Sequence, residues 1–180
     1  MQLILPSLKY KKSYLEALEE SKNEAGETQL NKPEVNESFE DFVKRLNENS
    51  KGINLPKGYV SATMFWLVEK GDVIGRVQIR HELNDFLFRE GGHIGYYIRP
   101  SKRRMGYGKK ILELSLSKAK KLGLSRVLIT CDDSNIASRK IIEENGGILE
   151  NETPQNGTKS PFKLRFTTEV HSKQPPSGGF

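Results

Sequence analysis

The sequence predicts a mixed α/β fold of the α+β kind, a mostly antiparallel sheet flanked by helices, and three observations carry that reading. Two extended runs, "TMFWLVE" and "VIGRVQIRH", flank the turn-forming triplet "KGD". A third run, "GHIGYYIRP", halts at Pro100 and passes through a glycine turn into a helical pattern. After that helix, strand-like and helix-like segments alternate.

Taken in order, residues 1–57 read as helices and loops. In "SLKYKKSYLEALEESKNE", Leu8, Leu15 and Leu18 with Tyr14 predict an amphipathic helix. In "ESFEDFVKRLNENS", Ser38 opens an S-x-x-D cap with Asp41, and Phe39, Phe42, Val43 and Leu46 fall at i, i+3, i+4 and i+7. That is a short helix with one buried face. From Ser61 the period changes to two. Val73, Gly75, Val77 and Ile79 alternate with Ile74, Arg76, Gln78 and Arg80, which predicts a hairpin with one face buried and the other wet.

The third strand precedes "KKILELSLSKAKKLG", a helix with Ile111, Leu112, Ser115, Ala119 and Leu122 along one stripe. Gly123 stands where a helix end takes a left-handed residue. Then come a short strand "SRVLITC", a turn "DDSN", a second helix "IASRKIIEENGG", and extended "ILE". After the loop "NETPQNGTKS", "PFKLRFTTEV" reads as a last strand. One domain is expected over residues 1–170, and the Pro/Gly/Ser-rich residues 171–180 are expected to be a disordered tail.

Composition narrows the function classes. The longest apolar run, Met64 to Val68, is too short to cross a bilayer. In "MQLILPSLKYKK" the basic residues follow the apolar stretch, the wrong order for a secretory signal, so a cytoplasmic protein is expected. The single cysteine, Cys131, rules out an internal disulfide and a multi-cysteine metal site. No metal is expected. A net charge of +6 implies attraction to anions without choosing among nucleic acid, a phosphorylated cofactor and an acidic lipid surface.

The stretch "SKRRMGYGKKI" decides more. Glycines at a strand-to-helix turn let the backbone approach a ligand, and the unpaired N–H groups of the first helical turn then face it. Such a nest suits a pyrophosphate, with Arg103, Arg104, Lys109 and Lys110 adding charge. On glycines alone, a solvated basic rim explains the stretch equally well. No G-x-x-x-x-G-K-[ST] is present, and the third glycine of a dinucleotide fingerprint is missing.

Arg103-Arg104-Met105-Gly106-Tyr107-Gly108 after a strand ending in Pro100 resembles the R/Q-x-x-G-x-G/A signature of the GNAT N-acetyltransferase superfamily. About 27 residues on, "DDSNIASRKIIEENGG" looks like its second segment, an Asn opening a helix that closes on glycine. Within the superfamily, "IRHELN", "GGHIGYYIRP" and "LITCDDSN" look most like a group of uncharacterised bacterial predicted acetyltransferases.

The resemblance implies acetyl-CoA as co-substrate, held where two adjacent parallel strands splay apart. Here these are "HIGYYIRP" and "SRVLITC". It implies that backbone groups of Tyr96, Tyr97 and Ile98 pair with the pantetheine arm. It also implies that amides from Arg104 through Lys109, Met105, Gly106, Tyr107 and Gly108 included, hold the pyrophosphate beside Arg103. Asn135 matches the Asn that contacts the cofactor beyond the thioester, a role compatible with capping its helix. Residues 61–150 would form the acetyl-CoA-binding core and 1–57 the acceptor side.

The implied reaction is direct acetyl transfer to the amine of a small molecule or peptide, without metal or covalent enzyme intermediate. A homodimer is compatible with it. The Tyr that many members carry as general acid is Ile141 here, and the Glu of some members is Thr130, so those assignments do not transfer. His93 is the local candidate for acid–base work, and Tyr96 or Tyr97 is a candidate proton donor. His81, Glu82 and Asn84 are candidates for reading the acceptor, and Asp85 and Glu90 are acidic groups nearby. Cys131 reads as buried filler.

Two other readings stay open. One is a GNAT-fold protein that binds CoA without turnover. The other is a basic nucleic-acid module, although stacking aromatics in series are missing.

Overall fold

The first four strands form an antiparallel meander. In the computed structural model, which describes residues 1–22, 30–154 and 162–170, β1 (Gln2–Ile4), β2 (Ala62–Glu69), β3 (Asp72–Arg80) and β4 (Ile94–Ile98) pair in that order. A second antiparallel sheet has the order β5 (Arg126–Asp132), β7 (Phe162–Glu169), β6 (Ile148–Pro154). Helices α1 (Lys11–Ser21) and α2 (Phe39–Glu48) precede β2. Helix α3 (Tyr107–Lys121) crosses from β4 to β5, and α4 (Ile136–Glu144) follows β5. The expected tail, residues 171–180, lies outside the described residues.

β1 corrects the expectation of helices and loops alone in residues 1–57. It pairs with β2 from Gln2↔Val68 to Ile4↔Trp66. Three residues are too few to show a strand period.

The hairpin has no wet face. One side of β2 and β3 (Phe65, Leu67, Val77, Ile79) meets Ile111, Leu112, Ala119 and Ile142 of α3 and α4. The other side (Met64, Trp66, Val68, Val73) meets Tyr14 and Ala17 of α1 and Phe39, Phe42, Val43 and Leu46 of α2. Trp66 is fully buried and stacks on Tyr14 with ring centroids 4.2 Å apart. Each such side chain contributes roughly 1.5–3 kcal/mol on burial. Arg76, whose charge suggested a solvent face, is covered by the same helices. Burial pulls its pKa down to about 10, so the guanidinium stays charged at neutral pH.

Helix α2 starts as its sequence predicts, with Ser38 Oγ accepting from the Asp41 N–H at 3.1 Å. All four of its predicted apolar residues are buried. Helix α1 packs Tyr14 and Leu18 against the core as expected, but not Leu15. It buries Ser13, Tyr14, Ala17 and Ser21, while Leu8 and Leu15 are exposed. Small residues let the helix lie close on the sheet, where Ser13 Oγ accepts from the Val73 N–H at 2.9 Å.

Helix α3 buries Ile111, Leu112, Ser115 and Ala119, but Leu122 is exposed. The helix ends in two backbone bonds, Gly123 N to Lys120 O and Leu124 N to Ala119 O, around a left-handed Gly123 at φ +88°. This is the Schellman arrangement.

Candidate functional site

The two sheets meet at one point. The His93 N–H donates to Leu128 O at 2.7 Å, and the Leu128 N–H donates to His93 Nδ1 at 2.9 Å. No backbone ladder joins β4 to β5 among the described residues, so the strands diverge from this vertex. The imidazole takes an N–H that a strand carbonyl would otherwise accept, and in doing so ends the pairing. Gly92 serves the same point, since at φ +61° a Cβ there would lie 2.6 Å from Leu128 O.

With Nδ1 occupied as an acceptor, the neutral ring carries its proton on Nε2. Burial first, and the Arg80 charge after it, hold the His93 pKa below its ordinary value. His93, the candidate for acid–base work, therefore presents an N–H donor to its surroundings in its neutral form. His93→Ala will lower unfolding free energy by about 1–2 kcal/mol, read from the urea midpoint, because it orphans the buried Leu128 N–H. Asn, whose Oδ1 reaches the same place, will restore most of that loss.

Period two decides which backbone groups of β4 face the gap. The carbonyl of His93 and the N–H of Arg99 bond to β3, through Arg80 N at 2.8 Å and Ile74 O at 3.0 Å. Odd-numbered residues between them face β3 as well. In accord with this, a Cβ on Gly75 would overlap the Tyr97 carbonyl oxygen. Tyr96 and Ile98 thus turn their backbone groups to the gap, and Tyr97 does not. The Tyr97 ring is buried in the α1–α2 core. The Ile98 carbonyl already accepts from Arg103 Nε at 3.0 Å.

Beyond β4, residues Pro100–Lys102 form a 3-10 turn. Arg104 at φ +60° and Gly106 at φ +79° then take left-handed backbone on either side of Met105. The first bond of α3 runs from Lys110 N to Gly106 O at 3.1 Å, and no side chain caps the helix. Among the described residues, the N–H groups of Arg104 to Lys109 have no protein acceptor.

The side chains of the stretch are mostly committed elsewhere. Lys102 pairs with Asp72 at 3.4 Å, Lys109 with Glu144 at 3.3 Å and Lys110 with Glu113 at 3.0 Å. The Arg103 guanidinium lies 5.2 Å from the Tyr97 ring centroid. The Tyr107 hydroxyl donates to Glu69 at 2.6 Å, which raises the Tyr107 pKa. The anion-facing surface of this turn is therefore its backbone.

Across the gap, Asn135 caps α4, its Oδ1 accepting from the Ser138 N–H at 3.0 Å. Ile141 packs against Gly108, where a Cβ would lie 2.6 Å from Ile141 Cδ1. The Thr130 hydroxyl donates to Glu90 O at 2.6 Å. Cys131 is buried, which pushes its thiol up to about 11. Among the candidate acceptor readers, His81 bonds Thr63 at 2.8 Å, and Asn84 bonds Gly58 O and Leu87 N, each at 2.9 Å. His81 is thus engaged by β2, and Asn84 ties its own turn to the segment at Gly58. Glu82 and Asp85 are exposed.

On the α2 side of the sheet, sequence reasoning missed a cleft of about 580 Å³. It is lined by Glu34, Glu37, Asp41 and Glu48 along with Lys44 and Arg45, and its floor reaches Gln78 of β3. Among the described residues no three His, Cys, Asp or Glu side chains gather to hold a metal. No helix among them is long and apolar enough to cross a membrane.

A splayed strand pair beside a helix whose uncapped amides line a glycine turn is the arrangement the resemblance implies. A family model, the acetyltransferase (GNAT) domain, matches residues 13–148. The chain belongs to the GNAT acetyltransferase family. No curated protein matches this acetyltransferase by sequence.

Among solved structures it is similar to a Salmonella typhimurium acetyltransferase that modifies the N-terminal serine of a 50S ribosomal subunit protein. That likeness has 16% identity, spans 94% of each chain and has a TM-score of 0.62. It is similar also to the microcin C7 self-immunity acetyltransferase in complex with acetyl-CoA and AMP. There the identity is 16%, covering 93% of this chain and 91% of that one, with a TM-score of 0.63. A variant of the Vibrio cholerae spermidine N-acetyltransferase matches at 16% identity, 94% and 95% coverage and a TM-score of 0.61. At these identities the likeness is one of fold.

Proposed function

We propose that this acetyltransferase carries the acetyl group of acetyl-CoA directly to a primary amine of a small molecule or peptide. The row of unpartnered amides from Arg104 to Lys109 carries the reading. It offers convergent donors at the positive end of a 15-residue helix, which suits a pyrophosphate. From there the pantetheine arm runs into the gap along β4 and pairs with the outward backbone of Tyr96. Arg104 has no side-chain partner among the described residues and is placed to add charge.

The amine attacks as the neutral base, so it must lose a proton, and water is the acceptor this site leaves available. Gln78 pairs with Gly95 of β4, so the cleft on the α2 side lies one strand from the gap. Carboxylates outnumber cations in its lining even though Arg45 pairs with Glu37 and Lys44 with Glu48, a balance that suits a cationic acceptor. Structural neighbours act on a protein N-terminus and on spermidine, both amines.

Binding without turnover is the second reading, because Ile141 and the committed Thr130 hydroxyl stand at the usual acid and base positions. Melting with acetyl-CoA, followed by thiol release with a panel of primary amines, separates the two. At a hundredfold excess over the dissociation constant, stabilisation of about 2.7 kcal/mol is expected. A shift with thiol release supports transfer, and a shift without it supports the second reading. No shift with either CoA or acetyl-CoA overturns both.

A further inference from the structure

Arg165, in the middle of β7, is only 8% exposed and makes no hydrogen bond or ion pair among the described residues. Leu164 and Phe166 on either side of it enter the core beneath α3 and α4, so its side chain takes the opposite face of the sheet. Thr130, its partner in register on β5, shares that face. Helices α1 and α2 cover this face over β2 and β3, while over β5 lies the turn Leu87–Gly91. The guanidinium carbon stands 4.4 Å from the ring centroid of Phe88 in that turn, whose Glu90 carbonyl accepts from Thr130. The ring satisfies one flat side of the guanidinium and none of its N–H edge. Nε is sealed from solvent, whereas the two Nη groups keep an opening. A methionine would lie on Phe88 as well, with no charge to desolvate, so the fork calls for an anion from outside the chain.

We propose that Arg165 binds a carboxylate or phosphate group of the amine acceptor, which makes that acceptor a zwitterion and not a plain cation. This rests on the splayed gap being the acetyl-CoA site. Thr130 follows the vertex residue Leu128 along β5, on one wall of the gap. Arg165 is one strand farther out, about 5 Å away at the backbone. On the other wall, Gln78 is one strand out from Gly95 and belongs to the carboxylate-rich cleft. Groups of opposite charge thus flank the gap on one face of the molecule. The cleft attracts the ammonium form and Arg165 holds the anion, which leaves the amine over the gap between them. Arginine's planar fork suits the paired oxygens of either anion.

The test uses the whole chain saturated with CoA, so that the amides of the glycine turn are occupied. Inorganic phosphate or propionate is titrated at constant ionic strength, with calorimetry on the wild type, Arg165→Met and Arg165→Lys. The wild type should bind one of these anions at least about tenfold more tightly than Arg165→Met does, with Arg165→Lys between them. The tighter anion tells whether the acceptor carries phosphate or carboxylate. Turnover is then compared for O-phosphoethanolamine against ethanolamine, and for β-alanine against propylamine. Among amines that release thiol, the anionic member should lead in kcat/KM by about tenfold in the wild type and by about twofold or less in Arg165→Met. Without ligand, Arg165→Met should melt no lower than the wild type. Equal anion binding in all the chains, or a lead for the neutral amine, overturns the proposal and leaves the donor site standing. A clear loss of stability in unliganded Arg165→Met also overturns it, since the guanidinium then serves the fold. If the wild type does not bind CoA, the donor site itself is refuted.

Discussion

Gly106→Val will raise the dissociation constant for acetyl-CoA at least about a hundredfold, while Lys110→Ala will change it less than about twofold. The reason is conformational. Gly106 sits at φ +79° with open space where a Cβ would go, so nothing collides with the new side chain. A β-branched residue in that region is nonetheless strained by about 1–3 kcal/mol and escapes by turning to negative φ. Doing so re-aims the amides of residues 104–109, and losing two charge-assisted bonds at about 1.5–3 kcal/mol each accounts for the factor. Lys110 does little because its Nζ already lies 3.0 and 3.1 Å from the two carboxylate oxygens of Glu113.

Gly108 differs from Gly106, although the sequence treats them alike. Its φ is not left-handed, and its missing Cβ makes room for a terminal methyl of Ile141. That methyl can rotate away, so Gly108→Ala will be the milder change. Calorimetry on the three variants, with urea midpoints as the control for folding, checks the order. Equal losses at Gly106 and Lys110 would return the turn to being a charged rim.

Local signals were the legible ones. The Ser38–Asp41 cap, the apolar face of α2, the glycine-ended α3 and the strand–turn–helix around Gly106 each depend on neighbours within a few residues, and each stands as read. The departures are all non-local. Whether Arg76 meets water depends on α1 and α2 closing over β3, which its alternation with Val77 cannot report. Leu8 and Leu15 promised a buried stripe, but the distance of α1 from the sheet favoured Ser13 and Ala17. The vertex was hidden most deeply. It joins His93 to Leu128 across 35 residues, and nothing near His93 shows that its ring nitrogen answers a backbone N–H. Tyr96 and Tyr97 are adjacent in sequence, and only the register on β3 separates their roles.

Arg99→Ala will lower unfolding free energy by about 3 kcal/mol and will weaken acetyl-CoA binding as well. Arg99 is buried at the end of β4 and forms an ion pair with Glu20 of α1. It also donates to Val73 O of β3 at 3.2 Å, and the other Glu20 oxygen accepts the Ser101 N–H at 3.2 Å. One carboxylate thus ties α1 to the segment that enters the glycine turn. Removing the guanidinium takes the ion-pair partner from Glu20, leaves the Val73 carbonyl without this donor and frees the turn's entry.

The same pair sets an acid limit. Hydrogen bonds from Arg99 hold the Glu20 pKa near about 2, against an ordinary value of 4.5. Because the folded value is the lower one, unfolding takes up a proton in this range. The pair's stabilisation is complete above pH 4.5 and is lost as pH falls toward 2. Urea midpoints between pH 6 and 2 should fall more steeply for the wild type than for Glu20→Gln, which lacks the titrating group but keeps an acceptor oxygen for Arg99. Parallel curves would mean that the bridge contributes nothing to acid stability, and that packing alone holds α1 against the turn.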